Sequence, residues 1–248
     1  YSSIFSGSQE VKIASSRKKL TVFFSDIADF TETPDDLESE ELTGLLNHYL
    51  TEMSKIALEH GATIDKYIGD AILAFFGDPE SRGVKEDARA CVNMAIAMQR
   101  RMRELQTEWR DRGMQKPFQL RIGINTGFCT VGNFGSDDRM EYTIIGSEVN
   151  LASRLQAHGE LGSILMSHET YSLVKDMVLA EEREPFKAKG IAKPVRNYRV
   201  IDHIDTMVGQ GKAIREEQDG LRLFLDLQKV DKVSAARTLE NALARLKD

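Results

Sequence analysis

Apolar runs that end at an aspartate dominate the hydrophobic pattern of the first third of the chain. Residues 20–26 are rich in β-forming side chains and end at Ser25-Asp26. Thr63–Ile68 and Ala71–Phe76 are two further short runs, separated by Gly69-Asp70, a favoured two-residue hairpin turn. Apolar residues recur at helical spacing over 37–60. The pattern therefore predicts a strand, a helix and a β-hairpin in that order.

Helical and strand-like patterns continue to alternate beyond the hairpin, which predicts a mixed α/β (α+β) fold. Helices are predicted over 85–112, 146–158 and 168–177, and strands over 119–127, 142–145, 164–167 and twice more before residue 200. The last segment, 213–247, carries leucines at spacings that predict one or two amphipathic helices.

The predicted strand and hairpin bring Asp26 and Asp70 to the same edge of one sheet. Two carboxylates held together repel each other unless a proton or a cation lies between them. Oxygen ligands of this kind suit Mg²⁺ or Mn²⁺, which take the rest of their shell from water and phosphate. The alternative is that each aspartate serves only its turn, because turns favour this residue. The apolar flanks and the nearby Lys66 favour a functional pair.

Composition excludes some classes of partner. The net charge of −6 over 248 residues gives no overall basic field for nucleic acid. The two cysteines, Cys91 and Cys129, favour a reducing, cytoplasmic setting. No apolar run approaches the roughly 20 residues that a membrane-spanning helix needs. The chain starts at Tyr1 with a polar stretch, so residues 1–19 are interpreted as a linker from a regulatory or sensor region upstream.

Four motifs occur in the order and spacing of a known family. They are FFSDIADFT at 23–31, DKYIGDAILAFFG at 65–77, RIGINTGFCTVGNFGS at 121–136 and YTIIGSEVNLASRLQ at 142–156. Together they resemble the catalytic domain of class III nucleotidyl cyclases, the adenylyl and guanylyl cyclases. The resemblance implies a ferredoxin-like sandwich with an extended β-arm formed by the glycine-rich stretch 128–141. It assigns the catalytic domain to 20–203 and leaves 204–248 as a helical tail.

The resemblance also implies roles for individual residues. Asp26 and Asp70, with the backbone carbonyl of Ile27, would bind two divalent metal ions, Mg²⁺ or Mn²⁺. Asn150 and Arg154 are four residues apart on one helix face. In the family the matching asparagine positions the ribose, and the matching arginine stabilises charge on the transferring phosphate.

Three further residues resemble the family's substrate-binding positions. Lys66 matches the lysine that contacts the purine, and Thr143 stands in the second purine position. Many adenylyl cyclases carry aspartate there, so this chain resembles the subclass with threonine. Lys189 matches the lysine that contacts the terminal phosphates, with Lys187 as a possible substitute. Guanylyl cyclases typically carry glutamate in place of Lys66, so the lysine favours ATP.

The resemblance finally implies a homodimer. In the family the metal-binding aspartates come from one chain, whereas the purine-binding residues, the asparagine and the arginine come from the other. This chain carries both sets, so two equivalent sites are expected. The hypothesis is an adenylyl cyclase that makes cyclic AMP and pyrophosphate from ATP. The alternatives are a guanylyl or relaxed-specificity cyclase and a catalytically silent dimerisation module.

Overall fold

The structure is a computed structural model that describes residues 15–28, 39–114, 116–136, 139–188, 191 and 193–247. The chain divides into two compact units. The first comprises the residues up to Lys175 together with 180–200, and the second comprises 176–179 and 201–248. Every predicted site residue that the structure describes belongs to the first unit.

The first strand, β1, runs from Ser15 to Ala28 and begins earlier than predicted. Ser15 pairs with Gly132 and Lys19 pairs with Phe128 in a later strand. The prediction of a linker over residues 1–19 is therefore wrong for residues 15–19, and residues 1–14 lie outside the described ranges. Residues 15–19 are exposed and polar, so no apolar pattern indicated a strand that depends on backbone pairing.

A helix and a hairpin follow, as predicted. Helix α1 spans Ser39–Glu59, and strands β2 (Thr63–Ile68) and β3 (Ala71–Phe76) match the predicted bounds. The turn between the strands needs a left-handed residue, which Gly69 supplies with φ of 64°. All of β3 is buried and pairs antiparallel with β1.

The remaining strands of the large sheet are β4 (Gln119–Ser136), β5 (Arg139–Ile145), β6 (Ile164–Ser167), β7 (Val178–Phe186) and β8 (Val195–His203). The spatial order is β2-β3-β1-β4-β6-β8-β7, and β5 pairs with β4. Three more helices are α2 (Val84–Asp111), α3 (Ser147–His158) and α4 (His168–Val174). Helix α2 packs on β1, β3 and β4 through a face of small and sulfur-containing apolar residues. The predicted mixed α/β fold is confirmed.

Strands β4 and β5 form the extended β-arm that the resemblance implied. β4 continues past the predicted end at Gly127, and the arm pairs Thr130 with Ile145 and Ser136 with Arg139. The glycine-rich composition had hidden this extension, because glycine has low strand propensity. Backbone pairing along the arm nevertheless continues to its tip in the described residues.

The second unit corrects the prediction for the tail. Helix α5 spans Ile204–Gly209, but residues 213–226 form a hairpin of β9 (Ala213–Gln218) and β10 (Leu221–Asp226) rather than a helix. Only α6 (Lys232–Arg245) has the predicted helical character in this stretch. The missed signal was Asp219-Gly220, a favoured hairpin turn, followed by leucines at period-two spacing, namely Leu221, Leu223 and Leu225.

Cys91 and Cys129 are both free and buried. Within the described ranges, each helix falls short of the length or apolar character that crossing a membrane requires.

Candidate active site

Asp26 and Asp70 lie side by side where β1 ends. Ser25 in β1 is opposite Ile72 in β3, so the end of β1 meets the turn between β2 and β3. The Ile27 amide donates a hydrogen bond to Asp70 Oδ2 at 2.9 Å, which holds the turn carboxylate against the strand. The prediction that these two aspartates meet is confirmed. Their metal-binding role stays a prediction.

The pair creates an unfavourable concentration of negative charge. Burial raises the pKa of Asp26 from 3.8 to about 7, and the hydrogen bond and charge of Asp70 add to the rise. The Arg121 guanidinium and the Ile27 amide oppose this change only in part. At neutral pH the pair therefore shares a proton or needs a cation, which is the behaviour expected of a metal-binding carboxylate pair.

Two neighbours of Asp26 were not identified from the sequence as part of the site. Arg121 lies opposite Asp26 in the β1–β4 register, with Nη2 3.8 Å from Asp26 Oδ2. Gln156 Nε2 reaches the same oxygen at 3.5 Å. In the sequence, Arg121 is only one polar residue of a strand with alternating apolar and polar positions. The local pattern does not reveal that this strand pairs with the strand that carries Asp26. Its buried Nε has no hydrogen-bond partner among the described residues.

The donor set at this position fits a hard divalent cation. Asp26 and Asp70 supply carboxylate oxygens, and the carbonyl of Ile27 could add a third oxygen. Within the described part of the chain there is no cluster of three or more histidine, cysteine, aspartate or glutamate side chains able to hold a metal. Two carboxylates with few other protein ligands suit Mg²⁺, which keeps several waters and substrate phosphates in its shell. Thiolate- or imidazole-rich sites for softer metals do not match these residues.

Helix α3 is held close to the sheet at two glycines of β4. A Cβ at Gly123 would overlap the carbonyl oxygen of Ala152 and the amide nitrogen of Gln156. A Cβ at Gly127 would overlap the carboxylate of Glu148. At Gly123 the backbones of helix and strand therefore approach more closely than any larger residue allows, whereas at Gly127 the space is taken by the Glu148 side chain. This contact sets the position of α3 relative to the strand that carries Arg121.

Asn150 and Arg154 project from consecutive turns of α3, on the same face, as predicted. Both are exposed. Neither makes a side-chain hydrogen bond or ion pair with another described residue. No such bond among the described residues joins either of them to the acidic pair. A free guanidinium and amide on one helix face are available to bind a ligand or a partner chain.

Lys66 and Thr143 are brought together by a third residue, Asp65. The Thr143 hydroxyl donates to the Asp65 carboxylate, with oxygen–oxygen distances of 2.9 and 2.6 Å. Lys66 Nζ lies 3.4 Å from Asp65 Oδ1 and 3.6 Å from Glu141 Oε2. The two predicted purine-binding residues therefore lie beside the same carboxylate. Their function stays a prediction.

The predicted phosphate-binding Lys189 lies outside the described residues. Its possible substitute, Lys187, is exposed just after β7. The assignment of either lysine to the terminal phosphates stays a prediction.

We expect Mg²⁺ or Mn²⁺ to raise the melting temperature more at pH 8 than at pH 6. The pKa of Asp26 is 3.8 in the unfolded chain and about 7 in the folded protein. Without metal, protonation of Asp26 therefore stabilises the fold fully below pH 3.8, and this contribution is lost as the pH rises through about 7. Metal binding requires the ionised carboxylate and stabilises only the folded protein, so the difference between metal and chelator widens with pH. Melting curves in MgCl₂ and EDTA at both pH values measure it. An equal shift at both pH values, or a larger one at pH 6, would contradict the assignment.

Comparison with known proteins identifies the family. The family model described as the adenylate and guanylate cyclase catalytic domain matches residues 13–202. Because this match covers most of the chain, the chain belongs to that family. Catalytic domains of this family generally use divalent metal ions.

The individual relatives include proteins named adenylyl cyclase and proteins named guanylyl cyclase. "Adenylate cyclase 1" of Rhizobium meliloti is 32% identical over 187 residues, which are 75% of this chain and 28% of that protein. The chain thus spans well under two thirds of this curated relative. The adenylyl cyclase CyaB from P. aeruginosa is 57% identical, with a TM-score of 0.75 over 77% of this chain and 97% of that one. The guanylyl cyclase Cya2 is 34% identical, with a TM-score of 0.71 over 76% and 94%.

Proposed function

We propose that the chain is the catalytic domain of an adenylyl cyclase that converts ATP to 3′,5′-cyclic AMP and pyrophosphate. The observation that carries the proposal is the contact between Asp26 and Asp70, which meet at the end of β1 with a shared excess of negative charge. Similarity to the adenylyl cyclase CyaB supports ATP as the substrate. The remaining chemistry would come from Lys66, Thr143, Asn150 and Arg154 of a second copy of the chain.

The reaction is an intramolecular substitution at phosphorus. The ribose 3′-oxygen attacks the α-phosphorus, the bond to the bridging oxygen breaks, pyrophosphate leaves, and the hydroxyl proton passes to solvent. Two divalent ions at Asp26 and Asp70 would lower the pKa of the attacking hydroxyl and neutralise charge on the phosphates. Because Asp26 and Asp70 have few other protein ligands beside them, bound ions would keep coordination positions for the substrate phosphates. Arg121, beside Asp26, offers a guanidinium to the phosphates at the same edge.

Asn150 and Arg154 act on the reacting groups. The amide of Asn150 positions the ribose so that its 3′-oxygen faces the α-phosphorus. The guanidinium of Arg154 stabilises the charge that builds on the phosphate oxygens as the bond to pyrophosphate breaks. The close contact of α3 with Gly123 and Gly127 supports this role, because it gives both side chains a fixed base.

The base is recognised by Lys66 and Thr143. The ammonium of Lys66 donates to adenine N1, and the hydroxyl of Thr143 accepts from the 6-amino group. Thr143 is buried, so a base that left its hydroxyl unpaired would bind less well. Lys189 would contact the terminal phosphates.

Each active site would be formed by two copies of the chain. Asp26 and Asp70 come from one copy, whereas Lys66, Thr143, Asn150 and Arg154 come from the other. Large apolar side chains are exposed on the hairpin and the β-arm, namely Tyr67, Ile68, Phe128 and Ile145. Exposed apolar groups of this size favour burial by a partner. A second copy would cover them and complete the sites in one twofold arrangement.

The proposal is tested by incubating the purified chain with ATP or GTP and Mg²⁺ or Mn²⁺, and measuring cyclic nucleotide and pyrophosphate. We expect cyclic AMP and pyrophosphate in equal amounts, with ATP preferred over GTP. Preferred turnover of GTP would support the guanylyl cyclase alternative. Nucleotide binding without any product, under conditions that give a folded dimer, would support the catalytically silent module.

A further inference from the structure

Asp65 is a buried carboxylate to which the proposed mechanism gives no role. Its side chain is only 1% exposed, although the neighbouring Lys66 side chain is 38% exposed. In the β2–β3 pairing, Ile64 is opposite Ala74 and Lys66 is opposite Leu73, so Asp65 is the extra residue of a β-bulge. A bulge redirects the side chain of the extra residue, and bulges are enriched beside active sites.

Three groups converge on the redirected carboxylate. The Thr143 hydroxyl lies 2.6 Å from Oδ2, and the Ile144 amide donates to the same oxygen at 3.1 Å. The Lys66 ammonium lies 3.4 Å from Oδ1. Asp65 therefore connects the β-arm residue Thr143 with the hairpin residue Lys66, the two residues that the proposed function assigns to the base.

The contact fixes the direction of the Thr143 hydrogen bond. An ionised carboxylate can only accept hydrogen bonds, and a hydroxyl has one proton to donate. The Thr143 proton is committed to Asp65, so toward a ligand its oxygen can act only as an acceptor. Adenine presents a 6-amino donor at the corresponding position, whereas guanine presents the O6 acceptor. Because Thr143 is buried, two acceptors that face each other there would both stay unpaired, which disfavours guanine.

Lys66 also favours adenine over guanine. Its ammonium has donors only and is held near Asp65 and Glu141. Adenine N1 accepts a hydrogen bond, whereas guanine N1 carries a proton and donates. With Thr143 restricted to accepting and Lys66 restricted to donating, the two side chains match the edge of adenine and mismatch the edge of guanine at both positions.

We propose that Asp65 is a positioning residue that determines base specificity, because it orients the Thr143 hydroxyl and holds Lys66 beside it. This inference rests on the proposed function and extends it to a residue that need not touch the nucleotide. Asp65 acts through the donor and acceptor character that it imposes on Thr143.

The test replaces Asp65 with asparagine, whose amide can donate to Thr143 and so release the hydroxyl proton toward a ligand. We expect the ratio of kcat/KM for ATP to kcat/KM for GTP to fall at least about tenfold. The fall should come mainly from a higher KM for ATP. Asp65→Glu is the matched control, since it disturbs packing but still only accepts hydrogen bonds, and it should retain most of the preference. Glu141→Gln should change the ratio less than about threefold, because Glu141 contacts Lys66 but not Thr143.

Replacement of Thr143 gives an independent measurement if Asp65→Asn yields no folded protein. Thr143→Val should lower the ATP preference to a similar extent, and Thr143→Ser should keep it. In the Thr143→Val background, Asp65→Asn should have little further effect on the ratio. An unchanged ratio in Asp65→Asn or Thr143→Val would overturn the inference, as would equal losses in Asp65→Asn and Asp65→Glu.

Binding measurements separate this inference from the proposed function. The same ATP-to-GTP ratio can be obtained from equilibrium dissociation constants of the two nucleotides. A wild-type chain that binds ATP in preference to GTP but forms no cyclic product would refute the cyclase proposal. The Asp65 inference would then be decided by the binding ratio of the variants alone.

Discussion

Replacement of Asp26 with asparagine is expected to lower cyclic AMP formation by about a thousandfold or more while leaving the protein folded. The change removes one of the two carboxylates that the proposed metal site needs and keeps the size of the side chain. It also removes the repulsion between Asp26 and Asp70, which burial makes unfavourable. The metal-free protein should therefore melt at the same temperature or higher. Turnover of ATP and melting in EDTA measure the two effects.

Asp219→Asn is the matched control for this variant. Asp219 is an exposed turn residue of the second unit, and Asn-Gly suits a hairpin turn as well as Asp-Gly does. The control should keep wild-type activity. Near-normal turnover in folded Asp26→Asn protein would contradict the assignment of Asp26 to the metal site. A large loss of stability in EDTA would instead indicate that Asp26 serves the fold.

Replacement of Arg154 with alanine is expected to lower kcat by about a hundredfold to a thousandfold, with a much smaller change in KM for ATP. The guanidinium is proposed to bind charge that develops only as pyrophosphate leaves, so its loss should act on the transition state more than on substrate binding. Arg154 is exposed and has no partner among the described residues, so the fold should not depend on it. Steady-state kinetics with ATP provide the measurement.

Two comparison variants make the Arg154 result specific. Arg103→Ala removes another exposed arginine from a helix and should leave kcat unchanged. Arg154→Lys keeps the charge but loses the planar fork, so it should recover only part of the rate. If Arg154→Ala raised KM and left kcat intact, Arg154 would bind substrate without assisting the chemistry.

Much of the site could be predicted because its signals are local in sequence. The hairpin Thr63–Phe76 follows from two short apolar runs separated by Gly69-Asp70, and the strand before Asp26 follows from one β-forming run. Once these elements share a sheet, Asp26 and Asp70 meet. Helical spacing likewise places Asn150 and Arg154 on one face.

The parts that were missed depend on which segments pair. Asp65 appears in the sequence as one more polar strand residue, and only the bulge and the approach of the β-arm give it three partners. Arg121 is beside Asp26 only because of the β1–β4 register. The strand at residues 15–19 has no apolar pattern of its own, since it depends on backbone pairing with the arm.

The central claim, that two chains share each active site, is tested most directly by mixing two inactive variants. Asp26→Asn and Arg154→Ala homodimers each carry the same lesion in both sites. In a mixed dimer, one site receives both lesions. The other receives intact aspartates from the Arg154→Ala chain and an intact arginine from the Asp26→Asn chain.

After subunit exchange at equal concentrations, about half of all dimers are mixed and each has one intact site of two. Cyclic AMP formation should therefore return to about a quarter of the wild-type rate. A mixture of Asp26→Asn and Asp70→Asn should stay inactive, because both lesions affect the same half of every site. Recovery in that second mixture, or no recovery in the first despite demonstrated exchange, would contradict the shared active site.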